Sequence, residues 1–174
     1  MAPLRLKELW LDEAMWTRGS AARRVEWRAA IRDFIETAEL EAPASDEGWP
    51  SELTSCLTLE SNGLRWSLGA TVEEPRLHLA LPRPRLQPIV DEYMQICVEL
   101  GRPGQPAPRV EALDIAKRLV HNEGGEVLVG LASPLGLSHE TGRRLFTVVV
   151  TVLVDTTVVH IPPHRAARPG RVLG

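Results

Sequence analysis

The sequence predicts an α+β fold: a small antiparallel β-meander of three to four strands, packed against about four helices, with a helical C-terminal half. Three observations carry this. Asn62-Gly63 sits between two alternating apolar runs, LTLES and LRWSL, a strong short-range hairpin signal. Apolar residues recur at helical spacing through VEALDIAKRLVHNEGGEVLVGL, residues 110–131. The run LFTVVVTVLV, from Leu145, is the most apolar stretch of the chain.

Each element follows in order. Residues 4–11, LRLKELWL, read as a first strand. Leu4 and Leu6 share one parity and Leu9 and Leu11 the other, so the phase slips near Lys7-Glu8, as a bulge or a strand end would make it. Ser20 is a candidate N-cap for a helix over about 21–39, whose apolar stripe is Trp27, Ile31, Phe34 and Ala38. Arg24, Arg28 and Arg32 form a basic row on it. They read either as a solvated face, with Glu36 in reach of Arg32, or as a site for an anion or an acidic partner. Residues 41–51 are an acidic loop. The Asn62-Gly63 turn, taken as type I′, pairs Ser61 with Leu64, Glu60 with Arg65, Leu59 with Trp66 and Leu57 with Leu68. RLHLAL is the third strand, with Leu77, Leu79 and Leu81 inward and His78 at the surface.

Leu86, Val90, Tyr93, Cys97 and Leu100 mark a further helix, with Pro88 in its first turn and Gly101 as its stop. The loop RPGQPAP leads to the central helix. There, at about 100° per residue, Glu111, Asp114, Arg118 and His121 fall within an arc of about 80°. Asp114 and Arg118 are placed for an i,i+4 ion pair. The helix either ends at Asn122-Gly124-Gly125 or runs through them. If it runs through, Glu123 and Gly124 turn to the core, and Glu123 is a buried acid paired with Arg143 and Arg144, beside His121 and Asn122. The segment 147–159 is a buried C-terminal helix to about 155, or, by its β-branched content, a strand.

The runs EALDIAKRLVHNEG and ETGRRLF, with LWLDEAMWTRGS and LHLALPRPRLQPIVDEYMQIC upstream, resemble uncharacterised protein family 0262 (UPF series) of small bacterial proteins. The resemblance runs from about Leu6 to about Val154 and implies a fold and an order of elements; the family offers no activity to transfer. The departures are Gly125, the proline-rich loop 102–108 and the tail after Asp155.

Composition fits one globular domain over 1–160, with a disordered Pro/Arg-rich tail over 161–174. Apolar residues make 44%, charged residues 25%, and the net charge is −3. That balance argues against general nucleic-acid or membrane-surface binding. Cys56 and Cys97 have no CxxC partner and read as buried reduced thiols. No signal-peptide core and no apolar run of spanning length are visible, which points to the cytoplasm.

Phosphate-loop, dinucleotide, nucleophile-elbow and HExxH motifs are missing from the sequence. No metal site and no cofactor are expected. Asp114 and His121 stand two turns apart, about 10 Å, too far to share an ion. Two main functions remain, beside a weaker third, nucleic-acid contact through Arg24, Arg28, Arg32 and the basic tail. One is a non-enzymatic binding or regulatory protein, using Glu111, Asp114, Arg118, His121, Asn122, Glu123, Arg143 and Arg144 to hold an unidentified protein or small ligand. The other is a small hydrolase-type enzyme with His121 and Glu123 as the acid–base pair, and with Asp114 as a further candidate.

Overall fold

The computed structural model describes residues 3–44 and 46–158; the tail 161–174 lies outside the described residues. In chain order the elements are β1 (Pro3–Leu11), α1 (Glu13–Arg18), α2 (Ala21–Thr37), β2 (Leu40–Glu41), β3 (Glu52–Glu60), β4 (Gly63–Gly69), β5 (Pro75–Pro82), α3 (Arg83–Leu100), α4 (Ala107–Leu131), β6 (Gly136–Leu137) and α5 (His139–Leu153). A 3-10 turn follows over Thr156–Val158. The fold is α+β, but the sheet is larger than expected and is mixed. Six strands run in the order β5-β4-β3-β1-β2-β6, and β1 pairs with β3 in parallel. Only β3, β4 and β5 form the expected antiparallel meander.

The parity slip in β1 is a bulge: its register against β3 shifts between Leu6 and Glu8. One extra residue returns Leu9 and Leu11 to the face of Leu4 and Leu6, and all four are buried. Trp10 is left on the outer side, 54% exposed.

The hairpin keeps the expected faces but not the expected partners. Glu60 pairs with Gly63, Leu59 with Leu64 and Leu57 with Trp66, a shift of two residues along one strand. Because strand faces alternate with period two, a two-residue shift preserves which side chains are buried. The turn residues are Ser61 and Asn62, neither with positive φ, so the type I′ reading is corrected. Gly63 opens β4 at φ 142°, with the Leu81 carbonyl only 2.3 Å from where a Cβ would sit. It is glycine because the neighbouring strand occupies that space.

Helix α2 is fastened at both ends. Ser20 accepts the Arg23 amide at 3.1 Å as its N-cap. The indole of Trp27 donates to the Thr151 carbonyl at 2.8 Å, linking α2 to α5. Phe34 packs edge-on to Trp66 beneath the sheet. The C-terminal segment is a helix, as its length suggested, and its valines 148–150 are buried in the common core. Among the described residues, no helix is long and apolar enough to cross a membrane.

Candidate functional site

The central helix runs unbroken through Gly124 and Gly125, 25 residues in all. Its buried side is only in part the one the apolar pattern indicates. Lys117, Val120, His121, Gly124, Gly125 and Leu128 face inward, while Ile115 and Leu119 are 46% and 62% exposed. The glycines explain this. A Cβ on Gly124 would lie 2.4 Å from the Phe146 ring, and one on Gly125 would lie 2.8 Å from the backbone nitrogen of Arg143. On the facing helix, a Cβ on Gly142 would meet the Gly125 carbonyl at 2.6 Å. The α4–α5 crossing is therefore a backbone-to-backbone contact that side chains would hold apart.

His121 lies inside this crossing, 4% exposed. Its Nε2 is 2.8 Å from the Thr147 hydroxyl, and its ring rests between Tyr93 and Phe146 at centroid distances of 5.8 and 5.6 Å. The Lys117 ammonium lies 6.0 Å from the Tyr93 ring centre. Burial pushes both the Tyr93 phenol and the Cys97 thiol up, the thiol against the opposing pull of the Lys117 charge. Cys56 is pushed up by burial as well. Neither thiol is the low-pKa, accessible kind that acts as a nucleophile near neutrality.

The polar cluster read from the sequence does not assemble. Glu123 is exposed, not buried, and no ion pair joins it to Arg143 or Arg144. The reason is helical geometry: residues two apart point about 200° apart, so Glu123 and His121 leave opposite sides of α4. They cannot act on one substrate as an acid–base pair. Asn122 is half-buried between them. Glu111 is exposed, and Asp114 and Arg118 form their expected pair at 3.6 Å, also in solvent. Arg143 pairs with Glu140 at 2.8 Å. Arg144 joins Glu140 on its own helix, at 2.9 Å, to Asp33 on α2.

Partial burial pushes the Glu140 carboxyl up, but hydrogen bonds from Arg144 and Arg143 outweigh it and hold the group below its ordinary 4.5. Its contribution to stability is thus present above that value and is lost as the pH falls through the lowered one. The stability advantage of the wild type over Glu140→Gln is expected to be constant above pH 6 and to shrink below pH 4.5, read from urea midpoints. A gap that widens in acid would reverse this assignment.

The concave feature that the sequence reading did not reach lies at the other end of the sheet, between β1, α1 and α2. It is a cleft of ≈ 720 Å³, in the size range of ligand sites. Leu9 and Leu11 of β1 and Ile31 and Ile35 of α2 give it apolar walls, with the indoles of Trp10 and Trp16 alongside. Arg28 and Arg32 also line it, as do Glu13 and Glu36. The three arginines of the basic row have different employments. Arg24 donates to the Trp16 and Thr17 carbonyls at 3.0 and 3.2 Å and so closes the C-terminal end of α1. The Arg28 guanidinium stacks 4.8 Å over the Trp16 ring. Neither Arg28 nor Arg32 forms an ion pair with any described residue, and Glu36, though it lines the same cleft, is not ion-paired to Arg32. Trp10 also borders a smaller hollow of ≈ 530 Å³ containing Glu8, Asp12, Glu73 and Cys56. No group of three or more metal-ligating side chains occurs among the described residues. The cleft escaped the sequence because it depends on β2 being only two residues long; the signals that pointed to it were the arginine row and the outward parity of Trp10.

A mixed sheet with helices locked together by glycines, and with no assembled catalytic group among the predicted residues, defines a small α+β protein. The chain belongs to the uncharacterised protein family UPF0262, which it matches over residues 4–155. A UPF0262 protein of Methylobacterium radiotolerans is 32% identical over 154 residues, covering 84% of this chain and 91% of the relative. Relatives in Paramagnetospirillum magneticum and Rhodospirillum rubrum are each 30% identical, covering 83% of this chain and 92% and 89% of their own lengths. No solved structure matches the chain.

Proposed function

We propose that this protein is a non-enzymatic binding protein, and that a polypeptide segment of a partner occupies the cleft between β1, α1 and α2. The observation behind this reading is the cleft itself: apolar walls, an exposed and a half-buried indole, and two arginines that form no ion pair among the described residues. Aromatic and arginine side chains around an apolar centre are the composition of binding hot spots. The α4–α5 junction favoured by the sequence is filled by Phe146 and by the backbone of Arg143, which leaves little room for a ligand there.

The reading is tested by panning a phage-displayed library of random twelve-residue peptides against the full chain. Enriched peptides are expected to bind at least about tenfold more weakly to Trp10→Ala, since losing a hot-spot indole costs about 2 kcal/mol or more. Trp10 is a surface residue, so the variant should fold. Failure to enrich any peptide, or binding indifferent to Trp10, would overturn the proposal.

A further inference from the structure

The geometry of the cleft points to how its occupant binds. Resting on the reading above, we infer that the partner segment is an extended peptide that adds to the sheet as a strand on the free edge of β1, with an acidic side chain set on Arg28 and Arg32.

The edge is free because β2 covers so little of it. On the side of β1 away from β3, the pairs are Pro3 with Glu41 and Leu4 with Leu40, and none beyond. The next stretch of that lane is open, with α2 as its far wall. The backbone phase is fixed by two bonds to β3: the Asp12 amide donates to the Leu57 carbonyl at 2.9 Å, and the Ser55 hydroxyl donates to the Glu8 carbonyl at 3.2 Å. In a parallel ladder alternate residues bond the same neighbour. Glu8, Trp10 and Asp12 therefore face β3, and Leu9 and Leu11 turn their N–H and C=O groups toward the cleft. No described residue takes up those groups.

Open edges are normally blunted by charge, proline, a bulge or a covering element. Here the bulge at Lys7 comes before the open part, and Leu9 to Leu11 follow it without proline. Lys7 to Leu11 offers about 16 Å, room for roughly five residues of an added strand. Side chains of one parity along such a strand would reach the apolar wall of Ile31 and Ile35, and those of the other parity would lie beside Trp10. A helix laid in the same cleft would leave the Leu9 and Leu11 groups unbonded, which favours the extended form. An acidic side chain is the complement of two guanidinium groups that form no ion pair with any described residue, not even with Glu13 and Glu36 of the same cleft, and one of which is seated on an indole.

The test uses the full chain and the most strongly enriched peptide, made synthetically. The peptide is expected to slow amide hydrogen exchange at Leu9 and Leu11 at least tenfold. N-methylation of its alternate amides should weaken binding at least tenfold. In Arg28→Glu/Arg32→Glu, preference should swing from the acidic peptide to a version with lysine in place of the acid. A Trp10-dependent peptide that binds as a helix, tolerates N-methylation and leaves Leu9 and Leu11 exchanging freely would refute strand addition while leaving the cleft as a binding site. Absence of any Trp10-dependent peptide would refute both. Slow exchange at Leu9 and Leu11 without peptide, together with concentration-dependent self-association, would make a second copy of the chain the occupant and overturn the inference.

Discussion

Gly125→Ala is expected to lower the thermal midpoint by roughly 2–10 °C. Alanine should favour a helix over glycine by about 1 kcal/mol, so a purely local view predicts the opposite sign. Packing decides it. The new methyl would stand 2.8 Å from the backbone nitrogen of Arg143 and 3.0 Å from its Cα. Backbone atoms cannot swing aside as a side-chain end can, so α5 must move as a unit and drag its buried valines with it. Overpacking of this sort costs about 1–3 kcal/mol, and a protein of this size shifts by about 2–4 °C per kcal/mol. Gly130→Ala is the control: it lies on the same helix with nothing within 4 Å of its Cβ position. There the local preference is unopposed, and the midpoint should rise by a degree or more, about 0.5–1 kcal/mol. Calorimetry on the two variants reads the difference directly, and equal shifts would mean the helices do not cross as described.

The second large effect concerns His121. His121→Ala is expected to cost about 2–4 kcal/mol, because it empties a buried site between Tyr93 and Phe146 and removes the shorter of the two hydrogen bonds at the Thr147 hydroxyl. Glu123→Ala should stay within about 0.5 kcal/mol, as expected of a solvent-exposed position. Denaturant midpoints on both variants decide it; a large loss for Glu123 and none for His121 would place the acid, not the imidazole, in the interior. A Glu123 buried beside His121, which the sequence allows if the helix runs through, would put the ranking the other way round.

That inversion shows what the sequence could and could not carry. Where side chains alternate against a flat neighbour, as in β1 and in the β3–β4 hairpin, the residues reported their own environment. Even the bulge at Lys7 was visible as a change of parity. The central helix misled because its inner face is built from Lys117, His121 and two glycines, while Ile115 and Leu119 lie outside. Residues chosen to let two backbones touch carry no hydrophobic signal. Strands β2 and β6, two residues each, are too short to have a period, and their pairing is set by what the rest of the chain places beside them. The cleft, which exists because β2 stops early, was therefore out of reach, although two of the three arginines in the basic row on α2 had already marked its wall.

The parallel pairing of β1 with β3 also bears on how the chain folds. Arg5 meets Glu52 across more than forty residues of intervening sequence. β1 therefore cannot find its neighbour until the ribosome has released the forty and more residues between them, a matter of several seconds at roughly 5–20 residues per second. Closing so wide a loop is entropically slow. During that interval α1 and α2 can form, while the four leucines of β1 wait in water for their cover. In the nascent chain, β1 is the element left open to aggregation for the longest of these intervals.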